Sequence, residues 1–177
     1  MRSLAQVLSR AALSGLFALI SVGAHAQTER LVIVALGASN TAGWGVAAAE
    51  SYPEQLKGLL AARGIAATII NAGVPGDTTG GMLARLEHEV PAGTRLVILQ
   101  PGTNDERAGS GSQRAANIAE IGRRLAARGT KLVVIENSLL DALPRSELRE
   151  DQLHFTPKGY ALLAERILPV VIEALGN

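Results

Sequence analysis

Three side-chain types that together can run acyl transfer occur in this 177-residue sequence at places where they can meet. His154 stands three residues after Asp151, in the stretch Asp151-Gln152-Leu153-His154-Phe155-Thr156-Pro157-Lys158-Gly159. A carboxylate at that spacing can share one side of a turn with the imidazole and accept from its Nδ1–H. That fixes the tautomer in which Nε2 faces outward as a base. Ser39, near the other end of the chain, offers a hydroxyl for such a base to activate. The remaining histidines are poorer candidates. His25 falls in an N-terminal segment with the marks of an export signal, and His88 sits between Glu87 and Glu89 in a helical pattern that reads as a solvated face. With no cysteine in the chain there is no thiol nucleophile, no disulfide and no Cys-ligated metal.

Such side chains need a scaffold to meet, and the apolar runs supply one. Leu31–Leu36, Thr68–Ile70, Leu96–Leu99 and Leu132–Ile135 are short continuous apolar segments, the pattern of strands buried on both faces of a parallel sheet. Helical periodicity lies between and after them, over Pro53–Arg63, Thr79–Val90, Gln113–Arg128 and Thr156–Leu175. Arg63-Gly64 and Arg128-Gly129 read as helix C-termini, and Thr156-Pro157 as a cap followed by proline in the first turn. Strand–helix alternation of this kind predicts a three-layer α/β/α sandwich with a parallel sheet, whose ligands bind beyond the carboxyl ends of the strands. No internal repeat or second domain is visible. The loosest stretch is Ala108–Ser112.

The residues just past each strand therefore matter. After the first comes Gly37-Ala38-Ser39-Asn40-Thr41-Ala42-Gly43-Trp44-Gly45, which places Ser39 at a helix start among small neighbours that leave room for a carbonyl. Read alone, Ser39 is equally a helix cap in a glycine-rich turn. The block is neither a G-x-S-x-G elbow nor a phosphate-binding loop. After the second comes Asn71-Ala72-Gly73-Val74-Pro75-Gly76-Asp77-Thr78-Thr79. Gly76 there can aim a backbone N–H at a ligand, or simply complete a Pro-Gly turn. After the third comes Gly102-Thr103-Asn104-Asp105, where Asn104 is either an amide donor or a turn residue.

The first 26 residues read as an export signal: Arg2 and Arg10, an apolar run from Ala11 to Val22, and the small-residue site Ala24-His25-Ala26. The alternative is an anchor that is never cut. Cleavage after Ala26 would leave one domain over 27–177, with fifteen basic residues against sixteen acidic ones. The bases are dispersed, so nothing suggests a nucleic-acid partner. Export of a cysteine-free domain fits a periplasmic or secreted protein with a core large enough to stand unstapled, and with no stable membrane insertion after cleavage.

Taken together, the four strand-end segments resemble the SGNH (GDSL-type) hydrolase superfamily. Its blocks read here as Gly37-Ala38-Ser39 with Thr41 and Gly43, then Gly76, then Gly102-Thr103-Asn104-Asp105, then Asp151-Gln152-Leu153-His154. The likeness is nearest to the small bacterial thioesterase/lysophospholipase/arylesterase group, through Asn71-Ala72-Gly73 to Leu83-Ala84-Arg85-Leu86. The resemblance implies a flavodoxin-like fold and a serine ester hydrolase without metal or organic cofactor, acting on a small-molecule ester or thioester. It implies Ser39 as nucleophile, His154 as general base and acid, and Asp151 as its orienting residue. The Ser39 and Gly76 backbone N–H groups and the Asn104 amide would form the oxyanion hole. Trp44 and Val74 fall near the rim, where they contact an acyl chain or simply pack, and Asp105 is expected to be structural.

The sequence departs from the family pattern twice. Ala38 stands where the family has Asp, and only 46 residues separate Asn104 from Asp151, where relatives carry a further helix–strand unit. The sheet is therefore expected to have four to five strands, with the site wall either open or completed by 137–150. A carbohydrate O-deacetylase or transacylase, or a non-catalytic binding protein on the same scaffold, are the other readings.

Overall fold

The computed structural model describes residues 31–176; the export signal read at 1–26 lies outside the described residues. Four parallel strands form one sheet: β1 (Leu31–Gly37), β2 (Ala67–Gly73), β3 (Leu96–Gln100) and β4 (Lys131–Val134), in the order β2-β1-β3-β4. In β1 and β3 every other side chain goes to the opposite face. Ile33, Ala35, Leu96 and Ile98 join one apolar cluster, and Val34, Leu36, Val97 and Leu99 join the other. These continuous apolar runs are stable only because helices cover both faces. The lower count of the expected four to five strands is the one found, and β4 forms an edge of the sheet.

On one face lie α2 (Tyr52–Ala61) and α8 (Pro157–Leu175), which bury Tyr52, Leu56 and Leu60 against Tyr160, Leu163, Ile167 and Val171. On the other lie α3 (Thr79–Ala84), α4 (Leu86–Glu89) and α6 (Arg114–Ala127), through Met82, Leu86, Ile121 and Leu125. Truncating any one of these aliphatic side chains to alanine is the kind of change that costs about 2–5 kcal/mol. Caps read from the sequence are present. The Thr156 hydroxyl accepts from Gly159 N–H with Pro157 in the first turn, and Gly64 and Gly129 take φ of 75° and 69° just past their helices.

Two stretches differ from expectation. The helix expected over Thr79–Val90 is broken at Arg85, whose φ/ψ of −97°/4° leaves the helical region, so α3 and α4 are separate short pieces. Val90 is held extended by the following Pro91, which ends the second piece. Short helices follow the strand ends: α1 (Ser39–Ala42), at the helix start read at Ser39, and α5 (Asn104–Arg107) and α7 (Asn137–Asp141), which no periodicity announced.

The connections set the position of the site. From β1 the chain moves to β2 on one side, whereas from β3 it moves to β4 on the other. The ends of β1 and β3 thus face a topological switch point, where open α/β sheets form their crevices. Beyond β4 the chain does not build another strand. It passes through α7 and a 3-10 turn (Arg145–Glu147), then makes a single antiparallel bridge between Leu148 and Phe155 before entering α8.

Candidate active site

A cleft of about 410 Å³ opens beyond the ends of β1 and β3. Ala38, Ser39 and Asn40 line it from the first strand end, and Gln100, Gly102 and Asn104 from the third. Its far wall is made by Asn137, Leu140, Leu143, Arg145 and Leu148, the segment that replaces a further sheet unit. The volume lies at the low end of small-molecule sites.

Ser39 leads α1, in a turn that demands small residues. A Cβ on Gly37 would fall 2.9 Å from the Gln100 carbonyl and against the Thr41 side chain, and one on Gly73 would collide with the backbone of Ala42. Those two glycines let α1 sit down on the ends of β1 and β2. Beneath it, buried Thr41 donates to Gln100 Oε1 at 3.2 Å and its hydroxyl lies 3.4 Å from the Tyr52 hydroxyl.

The loop after β2 is held from three sides. Gly76 has φ of 81°, which explains a glycine there; a Cβ at this position would meet nothing within 4 Å, so the backbone and not space makes the demand. The Asn104 amide donates to the Asp77 carbonyl at 2.8 Å. Arg85 donates from Nε to Asp77 Oδ2 at 2.8 Å and from Nη2 to the Gly37 carbonyl at 3.1 Å, joining the loop to the end of β1. Asp105 is buried and accepts from the Thr79 N–H at 3.0 Å and the Thr79 hydroxyl at 2.7 Å, while Asn117 donates to that hydroxyl at 3.0 Å.

Asp151 and His154 lie on the loop that the Leu148–Phe155 bridge closes, pinned by Arg149 N–H to the His154 carbonyl at 2.7 Å and Thr156 N–H to the Glu147 carbonyl at 2.8 Å. Gln152 at its tip takes φ of 56°, a left-handed conformation uncommon outside glycine. Asp151 Oδ2 lies 2.7 Å from His154 Nδ1, and Asp151 Oδ1 accepts from the N–H groups of Leu153 and His154, each at 2.9 Å. The His154 contact, followed by those backbone donors, holds the Asp151 carboxyl well below the usual carboxylate range. A charged Asp151 requires the proton on Nδ1, so Nε2 is the ring's free lone pair. Nε2 is buried and makes no hydrogen bond among the described residues. No hydrogen bond joins it to Ser39.

The structure places the other sequence-selected residues less centrally. Trp44 is 52% exposed, with its ring tilted 42° against that of His154 at 6.2 Å between centroids. Val74 is exposed as well. Neither lines the cleft, nor do Gly76 and His154; the His154 loop borders it through Gln152, Leu153 and Phe155, whereas no residue of the Gly76 loop lines it. His88 is exposed beside Glu89, on the solvated face expected of it. The residues that sequence reasoning passed over are Asn40, Gln100, Arg85 and Tyr160. Of these only Gln100 carried a signal, as a polar residue closing an otherwise apolar strand.

The sequence profile of the GDSL-like Lipase/Acylhydrolase family matches residues 35–150. The chain belongs to this family. The match takes in the segments of Ser39, Gly76 and Asn104 and stops one residue short of Asp151. The chain is 32% identical to Esterase TesA of Pseudomonas aeruginosa over 128 residues, covering 70% of this chain and 61% of that protein. It is 37% identical to an arylesterase of Vibrio mimicus over 91 residues, covering 51% of this chain and 44% of that one. It therefore spans about half the length of the curated relatives it matches. Among solved structures, AlinE4, described as an SGNH-hydrolase family esterase, is 30% identical with a TM-score of 0.57, over 84% of this chain and 74% of that one.

Proposed function

We propose that this chain is a serine ester hydrolase of the esterase, lysophospholipase or thioesterase type. The observation that carries the reading is the buried, unbonded His154 Nε2 opposite an Nδ1 held by Asp151 at 2.7 Å, on a loop bordering the cleft that Ser39 lines. Family membership and the likeness to proteins named esterase and arylesterase support it.

In this reading His154 Nε2 takes the Ser39 hydroxyl proton as Oγ attacks the ester carbonyl. The carbonyl oxygen becomes an oxyanion, met by the backbone N–H groups of Ser39 and Gly76 and by the Asn104 amide. The imidazolium, stabilised by Asp151, returns its proton to the leaving alcohol or thiol. Water then resolves the acyl-enzyme by the same steps in reverse order. Asn104 and Gly76 act as preorganised donors because Asp77, Asp105 and Arg85 fix their loops before substrate arrives. Trp44 and Val74 are assigned to the outer rim, where an acyl chain leaves the cleft.

The N-terminal pattern around Ala24-His25-Ala26 supports export with cleavage after Ala26, leaving a domain over 27–177. N-terminal sequencing of protein recovered outside the cytoplasm checks that cleavage. Among the described residues no helix is long and apolar enough to cross a membrane.

The decisive assay is hydrolysis of p-nitrophenyl esters from acetate to octanoate, with fluorophosphonate labelling at Ser39. Turnover and labelling that vanish together in Ser39→Ala support the reading. A protein that turns over none of these esters and takes no label would be the non-catalytic binding protein instead.

A further inference from the structure

We propose that Asn40 is a positioning residue: its buried amide ties the turn that carries Ser39 to the loop that carries His154, and Tyr160 holds that amide in the orientation the tie requires. The inference rests on the catalytic roles proposed above.

Asn40 directly follows Ser39 and is 8% exposed. Its Nδ2 donates to the Leu153 carbonyl at 3.4 Å, across 113 positions of sequence. Leu153 directly precedes His154, so the bond joins the neighbour of one catalytic group to the neighbour of the other. The amide's other end, Oδ1, accepts from the Tyr160 hydroxyl at 3.1 Å. That hydroxyl comes from the first turns of α8 and also lies 3.5 Å from the Trp44 carbonyl. Burial pushes the Tyr160 phenol up to about 12, so it remains a donor at any working pH. The Leu153 carbonyl can only accept, so Nδ2 faces it, and the Tyr160 hydroxyl satisfies the Oδ1 left on the other side.

Among the described residues no other buried side chain does this. Asp151 orients the imidazole, but its carboxylate binds Nδ1 and two backbone N–H groups of its own loop. It therefore moves with the loop and cannot fix it relative to Ser39. The Leu148–Phe155 bridge likewise closes the loop upon itself. Apart from Asn40, the hydrogen bond from this loop to the segment after β1 is Arg149 Nη1 to the Gly45 carbonyl, 2.8 Å and exposed. A solvent-exposed contact of a long side chain fixes little. His154 Nε2 has no bond of its own to Ser39 here. Its distance from the serine is therefore set by what joins the two segments: the exposed Trp44 ring beside the imidazole and, in the interior, the Asn40 bond to the backbone next to His154. A displacement of 1 Å between reacting groups can cost about 10²-fold in rate.

The test combines Asn40→Leu, which removes both polar ends, with Tyr160→Phe, which removes only the hydroxyl and keeps the packed ring. Asn40→Leu is expected to lower kcat for p-nitrophenyl acetate about 10- to 100-fold with KM nearly unchanged, and Tyr160→Phe by a smaller factor in the same direction. In a His154→Ala background, Asn40→Leu should cost nothing further, because groups acting as one unit are not additive. A second readout needs no turnover: the ¹⁵N NMR signals of the His154 ring should broaden or split in both variants as the loop samples other positions. Wild-type kcat in both variants, or an equal loss in the His154→Ala background, would overturn the proposal. If the wild-type protein hydrolyses no ester, the functional reading fails on its own, and an unchanged His154 signal in Asn40→Leu still overturns the tie.

Discussion

Ser39 follows a strand whose residues from Ile33 to Gly37 are all buried between two helical layers, and its turn is seated on glycines with Thr41, Gln100 and Tyr52 locked beneath it. His154 is presented by a loop whose residues from Arg149 to Gln152 are largely solvent-facing, closed by one antiparallel bridge and a left-handed residue at its tip. The two segments therefore rest on different physics. The first is fixed by close packing, where a single methyl group is felt. The second is held by a handful of hydrogen bonds, each worth only about 0.5–1.5 kcal/mol net, and reaches the core through Phe155 at its end. In the proposed reading, the close-packed side would carry the nucleophile and the oxyanion donors, and the hydrogen-bonded side the base.

If the halves do work as one unit, Ser39→Ala and His154→Ala should each lower kcat on p-nitrophenyl acetate by about 10⁶-fold, and the double variant should be no worse. Additive losses in steady-state assays would break the pairing. Asp151→Asn should lower kcat by about 10⁴-fold while the fold stays intact, because the tautomer is no longer enforced.

Asp151 also gives the comparison a pH dependence. Its carboxyl is held below the usual range in the folded state, so its stabilising contribution is complete above the ordinary carboxylate value of about 4. That contribution disappears as pH falls from there through the depressed folded value. Urea midpoints of wild type and Asp151→Asn should therefore differ at neutral pH and converge in acid.

On the rigid side, Asn104→Ala should reduce kcat about 10²- to 10³-fold with a smaller change in KM, the effect of removing one oxyanion donor. Asp105→Ala leaves the Thr79 N–H and hydroxyl without their acceptor and should cost about 1–3 kcal/mol in denaturant unfolding. The smallest effect belongs to the loop tip. Gln152→Gly relieves a residue at φ of 56° and should change stability by no more than about 1 kcal/mol, with melting unchanged or slightly higher. A large loss there would mean that the loop is as tightly packed as the strand.

The same contrast explains which parts of the molecule were legible in the residues. The central strands β1 and β3 were visible because a strand buried on both faces must be continuously apolar, and the half-buried edge strands β2 and β4 showed as shorter apolar runs. The ends of α2 and α6 and the cap of α8 were visible because glycine and threonine-proline serve those positions for local reasons. The helix break at Arg85 was not. Its side chain reaches Asp77 and the Gly37 carbonyl, the latter distant in sequence, and no local propensity encodes such a contact. The far wall of the cleft was legible only as one of two alternatives, open or completed by 137–150, since α7 and the 3-10 turn after it are too short to leave a period.

What the sequence determined by itself is the local chemistry: a carboxylate three residues before a histidine, a serine, a glycine and an asparagine each placed just past a strand, and a parallel sheet to align them. Short-range spacing and the demands of burial suffice for that. What only the tertiary structure decided is how those groups are held against one another. Asn40 reads as an ordinary neighbour of Ser39, and Tyr160 as one more core residue of the last helix. They acquire meaning when the fold brings Leu153 within reach, because a buried polar group is specified by the partner it finds across the chain.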